Sequence, residues 1–192
     1  MKIVIATNNR GKLSEISEIL KKLGAEAISQ SEAGIHSEPP ETGTTFEENA
    51  LIKAKAACIA SKMPAIADDS GLEVTALHGA PGVYSHRWCE GSDADKVRFL
   101  FKQMEGKTDR TARFVCCAAC VFPNGESIVV RGECYGTITN KICGENGFGY
   151  DPVFYTEKYK KTFAEITAEQ KNEISHRGVA FRLLAEKLGE KL

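Results

Sequence analysis

The stretch Pro64-Ala65-Ile66-Ala67-Asp68-Asp69-Ser70-Gly71-Leu72 places two carboxylates and a hydroxyl at the end of a short apolar run. Small apolar residues bounded by Pro64 and Gly71 read as a buried strand. Carboxylates at the end of such a strand are costly unless something pairs with them. Successive strand residues point to opposite faces, so Asp68 and Asp69 cannot share one task. One would face a site and the other would support the backbone or a partner. A hard cation such as Mg²⁺ suits such a carboxylate, because few protein carboxylates and substrate phosphates hold it. Asp-Ser-Gly is equally ordinary turn chemistry, and this stretch alone does not separate the two readings.

Three other stretches carry polar groups in informative places. Thr7-Asn8-Asn9-Arg10-Gly11-Lys12 lies between a strand-like run, Lys2 to Ala6, and a helix with Leu13, Ile16, Ile19, Leu20 and Leu23 at helical spacing. The free N–H groups and positive dipole end of such a helix form a natural anion site, to which Arg10 and Lys12 add charge. The pattern lacks the glycines of GxxxxGK[ST]. Gly144-Glu145-Asn146-Gly147-Phe148-Gly149-Tyr150-Asp151-Pro152 is a loop where backbone can approach a flat ligand and an aromatic face can stack on a base. His176-Arg177 opens the last helix, where cations gain nothing from the dipole; that hints at an anionic or carbonyl-bearing ligand. A capped turn with solvated cations and a core histidine are the corresponding structural readings.

The elements that must position these groups follow from periodicity and punctuation. Ala25 to Ser29 reads as a second strand, and Gln30 to Thr45, with Pro39-Pro40 and Gly43, as a loop. Phe46 to Lys62 reads as a helix capped by Thr44 or Thr45, with Glu47 and Glu48 suited to its first turn. Asn49 and Lys53 are four apart and share a face that either points at a phosphate or water or is simply solvated, with Glu48 and Lys55. Leu72 to Leu77 reads as a further strand. Gly79 to Trp88 is a loop, and Ser92 or Asp93 caps a helix running to Met104. Thr111–Phe122 and Ser127–Thr139 flank Asn124-Gly125, a strong hairpin signal. Thr167 to Ile174 reads as a helical segment before the last helix.

Bulk properties exclude several classes. The chain has 192 residues, 42% hydrophobic and 27% charged, and a net charge of −1. It is long enough for a sizeable core, in one domain or two closely joined lobes. It carries no electrostatic footprint for a nucleic-acid polymer, whereas a small anion needs only local positive charge. No apolar run approaches a membrane span or a signal peptide, so a cytosolic location is expected. Seven cysteines, an odd number, do not form a secreted disulfide framework. Cys117-x-x-Cys120 sits in a buried-strand pattern, and positions three apart on a strand face opposite ways. Both are expected to be small core side chains.

Taken together, these stretches resemble the inosine triphosphate pyrophosphatase family, the dITP/XTP house-cleaning nucleotidases. The resemblance rests on Thr7 to Lys12, Glu41-Thr42-Gly43 with Phe46 to Ala50 and Lys53-Ala54, Asp68 to Leu72, Gly79 to Ser85, Phe148 to Pro152, and Ser175-His176-Arg177-Gly178. They occur in the family's order and span the chain nearly end to end. The resemblance implies a single α/β domain over residues 1–192, an elongated mixed sheet flanked by helices, with two lobes and a central cleft, usually as a homodimer. It implies Mg²⁺-dependent hydrolysis of ITP, dITP and XTP to monophosphate and pyrophosphate, clearing aberrant purines from the nucleotide pool.

By motif position Asp69 looks like the proton acceptor and a metal ligand, with Lys53 beside it in catalysis. Ser70 looks like a substrate contact, and Thr7, Asn8, Asn9, Arg10, Gly11 and Lys12 like the triphosphate loop. Phe148, Gly149, Tyr150, Asp151, Lys171, His176 and Arg177 look like base and substrate contacts. One departure stands out. The family often has two adjacent acidic residues before Thr-Gly, the first a metal ligand; here they read Pro40-Glu41, so either Glu41 or Glu38 takes over as second ligand, Glu41 first among them, or Asp69 holds the ion with waters and phosphates. A nucleotide-binding protein without turnover, and a general metal-dependent phosphatase, are the alternative readings.

Overall fold

The computed structural model describes residues 2–22, 24, 26–36 and 39–189. Three of the positions discussed above, Leu23, Ala25 and Glu38, lie outside the described residues. The β-branched run at the start forms β1 (Lys2–Ile5) and leads into α1 (Arg10–Lys22). The helix begins earlier than expected, so Arg10, Gly11 and Lys12 form its first turn rather than a preceding loop. The cause is local: Asn9 Oδ1 accepts the Lys12 N–H at 3.0 Å, as a helix N-cap does. Then come β2 (Glu26–Ser29) and α2 (Phe46–Ser61). Thr45, not Thr44, caps α2; its hydroxyl accepts the Glu48 N–H while the Glu48 carboxylate accepts that of Thr45.

β3 (Ala65–Val74) differs from the expectation of two strands parted by a turn. It runs unbroken through Asp68-Asp69-Ser70-Gly71, and Thr75–Leu77 forms a single 3₁₀ turn instead of extending it. The remaining elements are α3 (Asp93–Gln103), β4 (Thr111–Val121), β5 (Ser127–Ile138), β6 (Phe154–Thr156), β7 (Lys161–Thr162), α4 (Ala168–Ile174) and α5 (His176–Gly189). β4 and β5 form the expected hairpin, closed by the Phe122 N–H on Glu126 O at 2.9 Å. Among the described residues the sheet has seven strands in the order β2-β1-β3-β4-β5-β6-β7. β1 is parallel to β2 and β3, and β6 is antiparallel to β5 and β7, so the fold is mixed α/β.

The chain divides into two compact units. The first comprises Met1–Asp69, Cys116–Gly132 and His176–Leu192; the second comprises Ser70–Val115 and Glu133–Ser175. The core of the first joins Ile3, Ile5 and Ile66 to Ile16 and Leu20 of α1 and to Phe181 and Leu184 of α5. Cys116 and Cys120 are buried in it as small apolar side chains. The core of the second is built on Leu72, Val74, Leu100 and Val153 and on the rings of Phe114, Phe154 and Phe163. Phe154 stands 4.6 Å from Phe114 and 4.9 Å from Phe163, centroid to centroid, a favourable aromatic cluster.

In the first unit α5 lies so close to β5 that only glycine fits at position 132. A Cβ there would stand 2.3 Å from His176 O and 2.5 Å from Ala180 N, both backbone atoms that cannot swing away. Overpacking of this kind costs about 1–3 kcal/mol. Gly132→Ala is therefore expected to lower the urea midpoint by the equivalent of about 2 kcal/mol. An unchanged midpoint would show that α5 shifts freely on the sheet.

Candidate active site

In the first unit, adjacent aspartates of β3 are sent to opposite faces by the strand's two-residue period. Asp68 meets Lys12 of α1 at 3.1 Å and the Arg177 guanidinium of α5, whose Nε and Nη2 donate to Asp68 Oδ2 at 3.3 and 3.2 Å. The same guanidinium donates through Nη1 to Glu15. Asp68 and Arg177 are buried, at 2% and 1% exposure. Burial is the largest influence on Asp68 and would raise its pKa, but the charges of Lys12, Arg177 and Lys53 outweigh it. They hold the carboxyl well below the ordinary range. Arg177 is pushed the other way: burial opposes its charge, and Asp68 and Glu15 more than restore it. This answers the local oddity of a cation at the start of α5, because two carboxylates from other elements compensate the unfavourable dipole.

Asp69 faces a different group. Asn49 Nδ2 donates to Asp69 Oδ2 at 3.0 Å, and Lys53 Nζ lies 3.5 Å from Asp69 Oδ1 and 2.8 Å from Glu41 Oε1. Asn49 and Lys53 are neighbours on α2 by their four-residue spacing, and both are buried, so this face is not the solvated one that the spacing also permitted. Asn49 also ties down the loop that carries Glu41: its Oδ1 accepts the Gly43 N–H at 2.8 Å. Desolvation dominates at Asp69 and raises its pKa, with Glu41 adding to the rise against Lys53, Lys12 and Asn49. Burial pulls the Lys53 pKa down, but Asp69, Asp68 and Glu41 turn the net shift upward, so its ammonium stays charged at neutral pH.

Asp69 and Glu41 thus place two carboxylates against the Lys53 ammonium. Among the described residues no group of three or more His, Cys, Asp or Glu side chains could hold a metal ion. Two carboxylates with phosphate oxygens and water are nonetheless the donor set that Mg²⁺ favours, so the residues fit it.

The turn expected to meet an anion is also in the first unit. Thr7 Oγ1 accepts the Asn9 N–H at 3.2 Å, and Asn8 Oδ1 accepts from Gln30 Nε2 at 2.5 Å. Asn8 and Arg10 are exposed, Gly11 and Lys12 half-buried. The N–H groups of Arg10, Gly11 and Lys12 open α1, and Lys12 adds its ammonium. His176, the first residue of α5, is buried.

The second unit holds Ser70, Phe148, Gly149, Tyr150, Asp151 and Lys171. Asp151 Oδ2 accepts the Phe148 N–H at 2.8 Å and the Lys171 ammonium at 2.6 Å. Lys171 Nζ stands 4.8 Å from the Phe148 ring centroid, a cation–π contact. Gly147 makes this possible: its φ is +77°, and a Cβ would sit 2.1 Å from Asp151 Oδ2. Glu15 is the participant that the sequence reading did not single out. Its one sign in the sequence is an acidic group three residues after Lys12, on the same helical face.

Cutting a buried ion pair on one side leaves an uncompensated charge and costs about 3–5 kcal/mol. Arg177→Met is expected to lose stability on that scale in urea titrations, and a loss below about 1 kcal/mol would mean the charges are solvated. The pH dependence has a definite sign. Asp68 has a folded pKa below its ordinary 3.8, so its contribution is full above that value and fades as pH falls beneath it. The acid limb of the stability curve should be shallower in Asp68→Asn than in the parent chain.

The Ham1 family model matches residues 3–187 of this chain. The dITP/XTP pyrophosphatase of Desulforamulus reducens is 47% identical over 190 residues, covering 97% of this chain and 94% of the relative. That of Haemophilus influenzae is 47% identical over 193 residues, covering 97% and 98%. Among solved structures, the Staphylococcus aureus Ham1 protein superposes with a TM-score of 0.88 at 43% identity over 100% of both chains. A HAM1 protein from Coxiella burnetii gives 0.89 at 40% identity over 99% of both. A match over nearly the whole sequence, together with the same fold at this identity, makes the chain a member of the Ham1 family.

Proposed function

We propose that this chain is a nucleoside-triphosphate pyrophosphatase that hydrolyses dITP, ITP and XTP to the monophosphate and pyrophosphate, keeping them out of DNA and RNA. The observation that carries the reading is Asp69: a buried carboxylate with a raised pKa, held by Asn49 and Lys53, in the unit that also carries the N-terminus of α1 and Lys12. Its relatives, named dITP/XTP pyrophosphatases, set the substrate class.

The chemistry asked of the residues is modest. Hydrolysis of a phosphoanhydride needs positioning and charge neutralisation more than covalent help. Lys12 and the N–H groups of Arg10 and Gly11, with Thr7, Asn8 and Asn9, bind the triphosphate. Asp69 takes the proton of the attacking water, a task that a carboxylate with a raised pKa does better than an ordinary one. Lys53 holds Asp69 and Glu41 in place and offsets their charge. Asp69 and Glu41 would hold Mg²⁺, which supplies neutralisation of the phosphate oxygens. Ser70, Phe148, Gly149, Tyr150, Asp151, Lys171, His176 and Arg177 serve the nucleoside. Donors facing a 6-oxo purine would be left unpaired by an adenine amino group, which is a strong ground for rejection. The same reading makes the protein a cytosolic homodimer; among the described residues no helix is long and apolar enough to cross a membrane.

Incubation with ITP, XTP or dATP and Mg²⁺, resolving monophosphate plus pyrophosphate from diphosphate plus phosphate, tests the proposal. Absence of pyrophosphate from both ITP and XTP would sink it, and single-phosphate release would favour a general phosphatase. Asp69→Asn is expected to lose roughly three orders of magnitude in kcat, within the range for general-base catalysis, while still binding ITP. Lys12→Ala is expected to weaken triphosphate affinity, and equal ITP affinity in that variant would remove Lys12 from the phosphate site. In the parent enzyme kcat should rise with pH as the Asp69 carboxylate ionises, the sign expected of a general base.

A further inference from the structure

The loop that carries Phe148 is anchored from one side by Asp151 and Lys171, and from the other by a segment with no part in the site described so far. Asp93, the first residue of α3, accepts the Gly149 N–H on Oδ2 at 2.7 Å. Its other oxygen, Oδ1, is 3.1 Å from Lys96 Nζ. Eight residues earlier, Ser85 O accepts the Tyr150 hydroxyl at 3.1 Å. Ser85 is itself fixed, since its hydroxyl accepts the Leu72 N–H at 2.8 Å and donates to Gly82 O at 2.6 Å.

Phe148 therefore sits between two carboxylates that hold successive backbone amides. Asp151 takes the N–H of Phe148 and Asp93 takes that of Gly149. Two charged acceptors on adjacent amides fix the peptide plane, and with it the direction in which the Phe148 ring leaves the backbone. Hydrogen bonds to ionised acceptors are among the stronger ones, so neither anchor is incidental. Only one of the two, Asp151, lies within the loop.

We propose that Asp93 is a positioning residue for purine recognition: through the Gly149 amide it sets the Phe148 ring, and so governs affinity and selectivity for the base without touching the substrate. The inference rests on the pyrophosphatase reading and on Phe148 serving the base. It requires Asp93 as an acceptor, not as a charge. Asp93→Asn keeps an oxygen for the Gly149 N–H, whereas Asp93→Ala removes it. Half of the Asp93 side chain is exposed, so neither change empties a core.

The test compares the full-length parent, Asp93→Ala and Asp93→Asn. In Asp93→Ala the KM for ITP should rise roughly five- to tenfold, the scale of losing one ordinary hydrogen bond. Its kcat should stay within about twofold, because ground-state and transition-state binding of the base are lost equally. The preference for ITP over dATP in kcat/KM should fall. Asp93→Asn should restore KM and preference to within about twofold of the parent. A readout independent of turnover is exchange of the Gly149 amide hydrogen, which should be slow in the parent and in Asp93→Asn and roughly tenfold faster in Asp93→Ala. An unchanged KM in Asp93→Ala, equal defects in the two variants, or fast Gly149 exchange in the parent would each overturn the proposal. A parent chain that releases no pyrophosphate from ITP or XTP would instead overturn the reading beneath it, and the exchange measurement separates the two failures.

Discussion

The first unit depends on one buried charge. Asp68 is ionised in an interior where an unpaired carboxylate could not persist, and it is tolerated because two cations converge on one of its oxygens. Those cations come from the first turn of α1 and the first turn of α5, elements separated by most of the chain. Glu15 closes the chain of charges on the far side of Arg177. The result is a set of helix starts held to the middle of β3 by electrostatics in a low-dielectric setting, where geometry matters more than at a surface. Among the described residues Asp68 Oδ1, the other oxygen, is buried without a hydrogen-bond partner, so the compensation is one-sided. Removing any one partner would leave the others as buried charges, which makes the arrangement a condition of the fold rather than an ornament on it.

The strand period converts that constraint into chemistry. Because Asp68 is committed to Lys12 and Arg177, its neighbour Asp69 must face the other way, toward α2. There it meets fewer positive charges and a second carboxylate, Glu41, so desolvation is only partly compensated and its pKa rises while that of Asp68 falls. Two chemically identical side chains on consecutive residues are thereby shifted in opposite directions from the ordinary carboxylate value. Pairs separated in this way are how a protein obtains one fixed charge and one group able to accept a proton.

The second unit solves a different problem, holding an aromatic ring on a loop. Its means are backbone ones. The Phe148 and Gly149 amides are each taken by a carboxylate, and the Tyr150 hydroxyl by a carbonyl. Gly147 adopts a left-handed conformation so that the Asp151 carboxylate can come close enough to do this. Lys171 then lies between that carboxylate and the ring, paired with the one and over the face of the other.

The sequence by itself determined the types of the longer elements, because they follow from periodicity and caps, but not the short strands β6 and β7 or the 3₁₀ turn at Thr75–Leu77. The β-branched start, the Thr45–Glu48 capping box, the Asn124-Gly125 hairpin and the apolar spacing of the last helix are local signals. It also determined that Asp68 and Asp69 would take separate tasks, since alternation in a strand needs no tertiary knowledge. Other features were decided only by the tertiary structure. β3 passes straight through Ser70-Gly71, where turn-favouring residues are overruled by pairing on the sheet. Lys53 and Asn49 are buried against Asp69, a choice between two helix faces that four-residue spacing leaves open. Arg177 is stabilised by Glu15 and Asp68, partners 162 and 109 residues away along the chain. Asp93 reaches Gly149 across 56 residues. Local propensity acts over a few residues, whereas a buried charge or a backbone amide is satisfied by whatever the fold brings within 3 Å or so, and that distance bears no relation to separation along the chain.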